Sequence, residues 1–363
     1  MIRSMSHALT PRLAVLSGSR LARRLPALTA FAYAAGTGPV PLARHPAWLD
    51  VFRAGLGHET YAVEVEAASQ LVGFLPLSFV ESTLFGRFLV SLPYLNSNGV
   101  VAASPEVARI LVGRAAELAD ELDARHLELR HETPVDHPAL NGQLTSKVHL
   151  RKPLPATADE LWKGFDTKVR NQVRKGEKGD FALKWGTHDR LDDFYAVLCR
   201  NMRDLGTPVY GRGFFDAILS TFPITRAGGA EIAVAYDGPK PVAAALLLHG
   251  RGVTEVPTAS SLRDYNASSV NMLMYRHLLD RAVERGQSVF DFGRSTTDGA
   301  TFKFKRQWGA VAHPATWQYH LRDGDAGEMR PDNPKYQRLI RLWQRLPVPV
   351  TRAIGPTIVR GIP

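Results

Sequence analysis

The 363-residue chain contains a single cysteine, Cys199, so no internal disulfide can form and no C-x-x-C pair is available to hold zinc. That scarcity points to a reducing, cytoplasmic setting. None of the twelve histidines falls in an H-E-x-x-H or related spacing, so no metal is expected. A G-x-S-x-G elbow is also missing, and Cys199 beside Leu198 in an apolar helical pattern reads as core, which sets aside a serine or cysteine nucleophile. No apolar run approaches the roughly 20 residues that span a bilayer, so an integral membrane protein is not expected. Acidic residues are absent from positions 1–49, which carry six arginines, and positions 330–363 hold seven Lys/Arg against Asp332 alone. The net charge of +10 is therefore terminal, and the middle of the chain is slightly acidic, unlike a protein that binds polyanions across its body. The apolar patch Leu13–Leu16 is too short for a signal peptide, and residues 1–28 are expected to be a basic, disordered extension.

With 45% hydrophobic residues the chain can bury a large core, and its length suits two domains. Tyr61–Glu66 alternates apolar and polar residues as a half-buried strand, Leu71–Val80 returns as its hairpin partner, and Arg87–Leu92 extends the sheet. Helical spacing of Val107, Ile110, Leu111, Leu118 and Leu122 predicts a helix over Pro105–Asp123 with Pro in its first turn, before a strand at His126–Arg130. The order recurs: strands at Glu231–Tyr236, Pro241–His249 and Gly252–Ser260, a helix over Ser268–Arg285, and a closing strand at Ser288–Phe292. Between the units, one helix is expected through Leu161, Trp162, Phe165, Val169 and Val173, then a strand at Phe181–Trp185, a helix over Leu191–Leu205 and a short helix at Phe214–Phe222. This is an internal structural duplication. Its succession is that of an acetyltransferase-type (GNAT) fold, a mixed and largely antiparallel sheet splayed open near its middle.

The densest stretch is Phe290–Ala310, FDFGRSTTDGATFKFKRQWGA. It reads as a strand end, a polar turn over Gly293–Thr297, and a helix from an acidic N-cap at Asp298 to Trp308. FDFGRS followed by GATFKFKRQWG resembles the C-terminal signature of FemAB-type proteins, a D-x-G-R strand end before an F-K-x-x-(F/W)-G helix. The run Lys168–Lys175 (KVRNQVRK) resembles that family's basic helix, LGTPVY with Phe214 and Phe215 fits a further element, and Asn271 opening a helix fits as well. The resemblance covers about residues 60–321 and is closest to the branch associated with exopolysaccharide and PEP-CTERM systems. It implies tandem GNAT-like domains, at 29–150 and at 151–325 with the main site in the second. It also implies transfer of an acyl or aminoacyl group, from acyl-CoA or aminoacyl-tRNA, to an amine on a small-molecule, lipid-linked or nucleotide-linked acceptor. The chain departs from the pattern twice. It has no coiled-coil arm, which bears on tRNA as a partner, and SLRDYNAS (Ser261–Ser268) lacks a glycine-rich pyrophosphate loop, which bears on coenzyme A.

Lys305 matches the lysine of the family's helix, where a fixed cation steadies an oxyanion or a donor phosphate; the plainer reading is a solvated helix lysine. Asp291 and Arg294 flank a glycine and either pair locally to shape the turn or act, Asp291 as base and Arg294, beside Ser295, as holder of a phosphate or carboxylate. Glu255, on a strand flanking the expected sheet opening, is the competing base. Arg170 and Arg174 stand one helical turn apart and form either a solvated face or a phosphate-binding surface. Tyr210 and Asn271 are candidates for pocket lining. In the basic segment 326–363, Tyr336, Leu339, Ile340, Trp343 and Leu346 make an apolar stripe beside Arg338, Arg341 and Arg345, which packs on its own domain or rests peripherally on an anionic membrane face. Three readings follow: an acyltransferase of cell-envelope or exopolysaccharide synthesis, a tRNA-dependent aminoacyltransferase, or a non-catalytic module binding a glycan or peptide precursor.

Overall fold

The computed structural model describes residues 11–34, 38–322 and 334–362. The first half contributes β1 (Arg12–Ser17), α1 (Gly18–Ala34), α2 (Trp48–Leu56), β2 (Glu59–Ala67), β3 (Gln70–Ser82), β4 (Gly86–Val90), β5 (Val101–Ala102), α3 (Pro105–Glu121), β6 (His126–His131) and β7 (Gly142–Leu144). After it come β8 (Lys147–Pro153), α4 (Ala158–Lys163), α5 (Thr167–Glu177), β9 (Ala182–Gly186), α6 (Leu191–Leu205) and α7 (Arg212–Thr221). The second sheet is then built by β10 (Gly229–Asp237), β11 (Lys240–His249), β12 (Val253–Ser261), α8 (Val270–Glu284), β13 (Val289–Thr296), α9 (Ala300–Gln307) and β14 (Val311–Pro314). The chain ends with β15 (Thr316–Leu321), α10 (Pro334–Trp343) and α11 (Val348–Val359).

Two mixed sheets result, ordered β1-β2-β3-β4-β6-β15-β7, with β5 on β3, and β14-β8-β13-β12-β11-β10-β9. Each has one parallel junction, β4 with β6 and β12 with β13, and each junction is only three residue pairs long before the strands part. Local chemistry sets the pieces that precede these junctions. In α3, Pro105 fixes the first turn, the Ser104 hydroxyl accepts from the Val107 amide at 3.4 Å, and Leu111, Val112, Ala115 and Ala119 form a fully buried stripe against the sheet.

The duplication reaches further toward the N-terminus than the sequence reading allows. Instead of a disordered extension over 1–28, residues 12–34 form β1 and α1, which mirror β9 and α6 of the second unit; residues 1–10 lie outside the described part. Leu16, Leu21 and Leu28 are buried there, and Arg24 is neutralised by Glu64 (2.6 Å) and Glu66 on β2. The acid-free composition of this segment misleads because its counter-charges come from the next strand.

The boundary near residue 150 is also redrawn, because the units exchange strands. β8 follows β6 in the chain but pairs with β13 of the second sheet, and β15 follows the second unit but returns to pair with β6. The helices interlock as well: α2 packs on α7, with Phe52 and Phe214 stacked at 6.2 Å and Trp48 5.1 Å from Phe222, within one hydrophobic cluster drawn from both units. Two elements differ locally from expectation. The single helix through Leu161 and Val173 is broken at Gly164–Asp166 into α4 and α5. The polar turn over 293–297 is strand, bulged where Gly293 takes φ +76°, so β13 runs on to Thr296; the helix after it is capped by Gly299, not Asp298.

Candidate functional site

The parallel junction of β12 and β13 ends on the rung Glu255–Asp291. Registered neighbours in adjacent strands project to the same face, so two carboxylates stand side by side where the sheet splits. Both are buried. The Asp291 carboxylate accepts from the Gly293 amide at 2.7 Å and from Arg151 Nε at 2.8 Å. A side chain at position 293 would strike Asn96, whose oxygen accepts from the Arg294 amide at 3.4 Å, so the bulge requires glycine both for its φ and for this approach.

Arg151 arrives on the exchanged strand β8. Its terminal nitrogens donate to both oxygens of Glu132, at 2.8 and 2.6 Å, and the Ser97 hydroxyl donates to Glu132 at 2.7 Å. Burial opposes ionisation of Glu132, but the hydrogen bonds and charge of Arg151 prevail and hold it at about 2. Glu255 has no such cation. One of its oxygens accepts from the Ala43 amide at 3.0 Å, and the other has no hydrogen-bond partner among the described residues. Burial, and then the negative charge of Asp291, push Glu255 up to about 8. The rung thus pairs an arginine-bound carboxylate with one that takes up and releases a proton near neutrality.

Lys305 approaches from α9, which is anchored by the fully buried Trp308 against Phe165 at 5.2 Å and by Phe304 against Tyr275 at 4.9 Å. Its Nζ donates to the Arg294 carbonyl at 2.9 Å, and burial lowers it to about 8 against the opposing charge of Asp291. The Arg294 guanidinium does not pair with Asp291. It lies 3.3 Å from the ring centre of Trp317 on β15, and burial lowers it to about 9. Ser295 is buried with its hydroxyl unpartnered.

The structure therefore brings Glu255, Asp291 and Lys305 together at the split, while Arg294 and Ser295 follow on the same strand beyond the bulge, with the Arg294 guanidinium turned to Trp317. The other candidates lie elsewhere. Arg170 donates to the Lys163 and Phe165 carbonyls, at 3.2 and 2.7 Å, closing the break between α4 and α5. Arg174 sits beside Asn171 and over Trp162. Tyr210 belongs to an aromatic cluster with Tyr94 and Phe214 between the units. Asn271 is half-buried in the first turn of α8.

Sequence reading missed Arg151, Glu132 and the fully buried His149, whose ring nitrogens are both unpartnered and which burial pushes down to about 4. The alternation His149–Leu150–Arg151 marks one polar strand face, but nothing local says which sheet receives it. The first unit has the same last rung, Val90–Glu128, and there it is closed: Glu128 accepts from Arg130 at 2.7 Å and from the Tyr319 hydroxyl at 3.0 Å.

Residues Arg263–Ser268 form a tight 3₁₀ turn whose Tyr265 and Ser269 amides bond to the Leu262 and Asn266 carbonyls, so these are not free to cradle phosphates. A separate cavity of about 510 Å³ lies between the units near Tyr33, His45, Phe222 and Arg251, and no rung residue lines it.

Residues 163–306 match the family model of the acetyltransferase (GNAT) domain. No curated protein matches the sequence. Among solved structures, the crystal structure of FemX is similar at a TM-score of 0.62 and 14% identity, covering 90% of this chain and 100% of FemX. A tandem GNAT protein from the clavulanic acid biosynthesis pathway is similar at 0.56 and 11% identity, covering 86% of this chain and 100% of that one. The L-PGS structure from Bacillus licheniformis is similar at 0.54 and 11%, covering 88% and 96%. At these identities the likeness is one of fold, two GNAT units in tandem.

Proposed function

We propose that this chain, whose residues 163–306 match the acetyltransferase (GNAT) domain model and whose fold is similar to tandem GNAT structures, moves an acyl or aminoacyl group from an activated ester or thioester onto an amine of a cell-envelope or exopolysaccharide precursor. The observation that carries the reading is the Glu255–Asp291 rung at the mouth of the second sheet, with Lys305 beside it. An amine reaching the split loses a proton to the unbonded oxygen of Glu255 as its lone pair attacks the donor carbonyl carbon. A C–N bond forms, the carbonyl becomes an oxyanion, and its collapse breaks the C–O or C–S bond to the leaving group. Lys305, held by the Arg294 carbonyl, supplies a fixed cation for the charge that develops, a contribution of about 3 kcal/mol when one such donor is removed. Asp291, tied to Arg151 and Gly293, stands on the neighbouring strand and adds to the proton affinity that burial gives Glu255.

A non-catalytic binding module would need neither a carboxylate poised near neutrality nor an adjacent depressed lysine. The engaged amides before α8 favour a donor other than a coenzyme A thioester, which supports the aminoacyl reading as second choice. The test is transfer to amine acceptors with acyl-CoA and aminoacyl-tRNA offered separately. Lys305→Met is expected to reduce kcat by about a hundredfold or more, and Glu255→Gln to abolish the acid limb of kcat/KM. Full activity in both variants, with folding intact, removes the site from the reaction.

A further inference from the structure

The two C-terminal helices strap across the outside of the second unit. Ile340 packs on Gly206, Gln344 donates to the Asp204 carbonyl at 3.2 Å, Gly355 fits against Val209, and the Tyr94 hydroxyl donates to the Arg360 carbonyl at 2.8 Å. These contacts fix which side faces in. On the other side Leu339 and Leu342 are 61% and 59% exposed, and Val350 and Ile354 are 41% and 43% exposed. Leu205, one residue before the glycine under Ile340, is also exposed, so this edge holds five of the eight strongly exposed large hydrophobics among the described residues. Residues 334–362 contain six basic residues and no acid, and Arg338, Arg341 and Arg345 have no carboxylate partner among the described residues.

We infer that this outer face docks the protein on an anionic lipid bilayer, with Leu339, Leu342, Val350 and Ile354 entering the interface and Arg338, Arg341 and Arg345 meeting the headgroups. Leucines interspersed with arginines that have no carboxylate partner among the described residues suit a headgroup–acyl boundary, where both kinds of side chain are satisfied at once. A second copy of the chain would bring the six basic residues and no acid of 334–362 against the same set. Docking also has a geometric consequence. The strap holds Tyr94, and two residues on Asn96 touches the bulge beside Asp291, so the membrane face and the split sheet share one loop.

The test is flotation of the full chain with vesicles of phosphatidylglycerol and phosphatidylcholine, against phosphatidylcholine alone, at low and high salt. The wild type is expected to float with the anionic vesicles only, and less at high salt. Leu339→Ser with Leu342→Ser, and separately Arg338→Gln with Arg341→Gln and Arg345→Gln, are each expected to cut flotation at least severalfold with the melting temperature unchanged. Absence of wild-type flotation, equal flotation with neutral vesicles, flotation surviving both variants, or a dimer that the leucine variant dissociates overturns the inference. None of these outcomes bears on the Glu255 reading, which is read from transfer in solution.

Discussion

Replacing Asp291 with Asn separates the two carboxylates of the rung. The amide keeps the shape and can still accept from the Gly293 amide, while Arg151 retains both bonds to Glu132. What is lost is a negative charge one strand away from Glu255, together with the bond from Arg151 Nε, because the amide has a single oxygen with which to accept. Adjacent strands lie about 4.8 Å apart. At that separation two unit charges in an effective dielectric of about 20 repel by roughly 3 kcal/mol, or about two pKa units. Arg151 already offsets part of this charge, so a net downward shift of about one to two units is expected. The burial contribution to Glu255 stays. The acid limb of kcat/KM, near pH 8 in the wild type from the raised Glu255, should therefore move to roughly 6–7 in Asp291→Asn. Below that limb the variant gains activity, approaching about tenfold for a shift of one unit and about a hundredfold for two, because more of the base is ionised. The assay is a pH–rate profile under kcat/KM conditions for wild type, Asp291→Asn and Glu255→Gln. An acid limb that vanishes in Asp291→Asn but persists in Glu255→Gln would refute the reasoning and make Asp291 the base.

Glu255 also predicts a stability effect. Its folded pKa of about 8 lies above the ordinary 4.5, so the folded state holds an extra proton between those values. Stability is then highest below the window and falls as pH rises through 8, by an amount on the order of a few kcal/mol; Glu255→Gln should melt higher than wild type at pH 9 and show a flatter profile. Arg170→Ala frees the Lys163 and Phe165 carbonyls and should cost about 1 kcal/mol in urea unfolding while leaving KM for donor and acceptor unchanged. Deleting residues 1–34 strips β1 from the edge of β2 and exposes the pocket of Leu21 and Leu28; the truncated chain should be insoluble or unfolded, as read from its yield in the soluble fraction and its circular dichroism.

Much of this molecule was legible before folding. The period-two strands, the amphipathic α3 and α6, and the recurrence of one order of elements are local patterns set by burial on one face, and they led to a tandem GNAT fold. Asp291, Arg294 and Lys305 stand out in the dense strand–helix stretch Phe290–Ala310, Lys305 also by its match to the FemAB-type helix, and Glu255 as an acid on a strand flanking the expected sheet opening. Their roles were not separable, since an acid's proton affinity depends on what lies within a few ångströms in space. The sequence could not show that Arg151 leaves the first unit to neutralise Asp291, that Arg294 turns away to stack on Trp317, or that Glu255 is left without a cation. Nor could it show that an arginine-rich N-terminus is folded, because Glu64 and Glu66 lie forty residues on. Alternation and helical spacing determine the elements, which are near-neighbour properties. The exchange of β8 and β15 and the difference between the two carboxylates are decided by contacts between units, where charge, burial and distance act together.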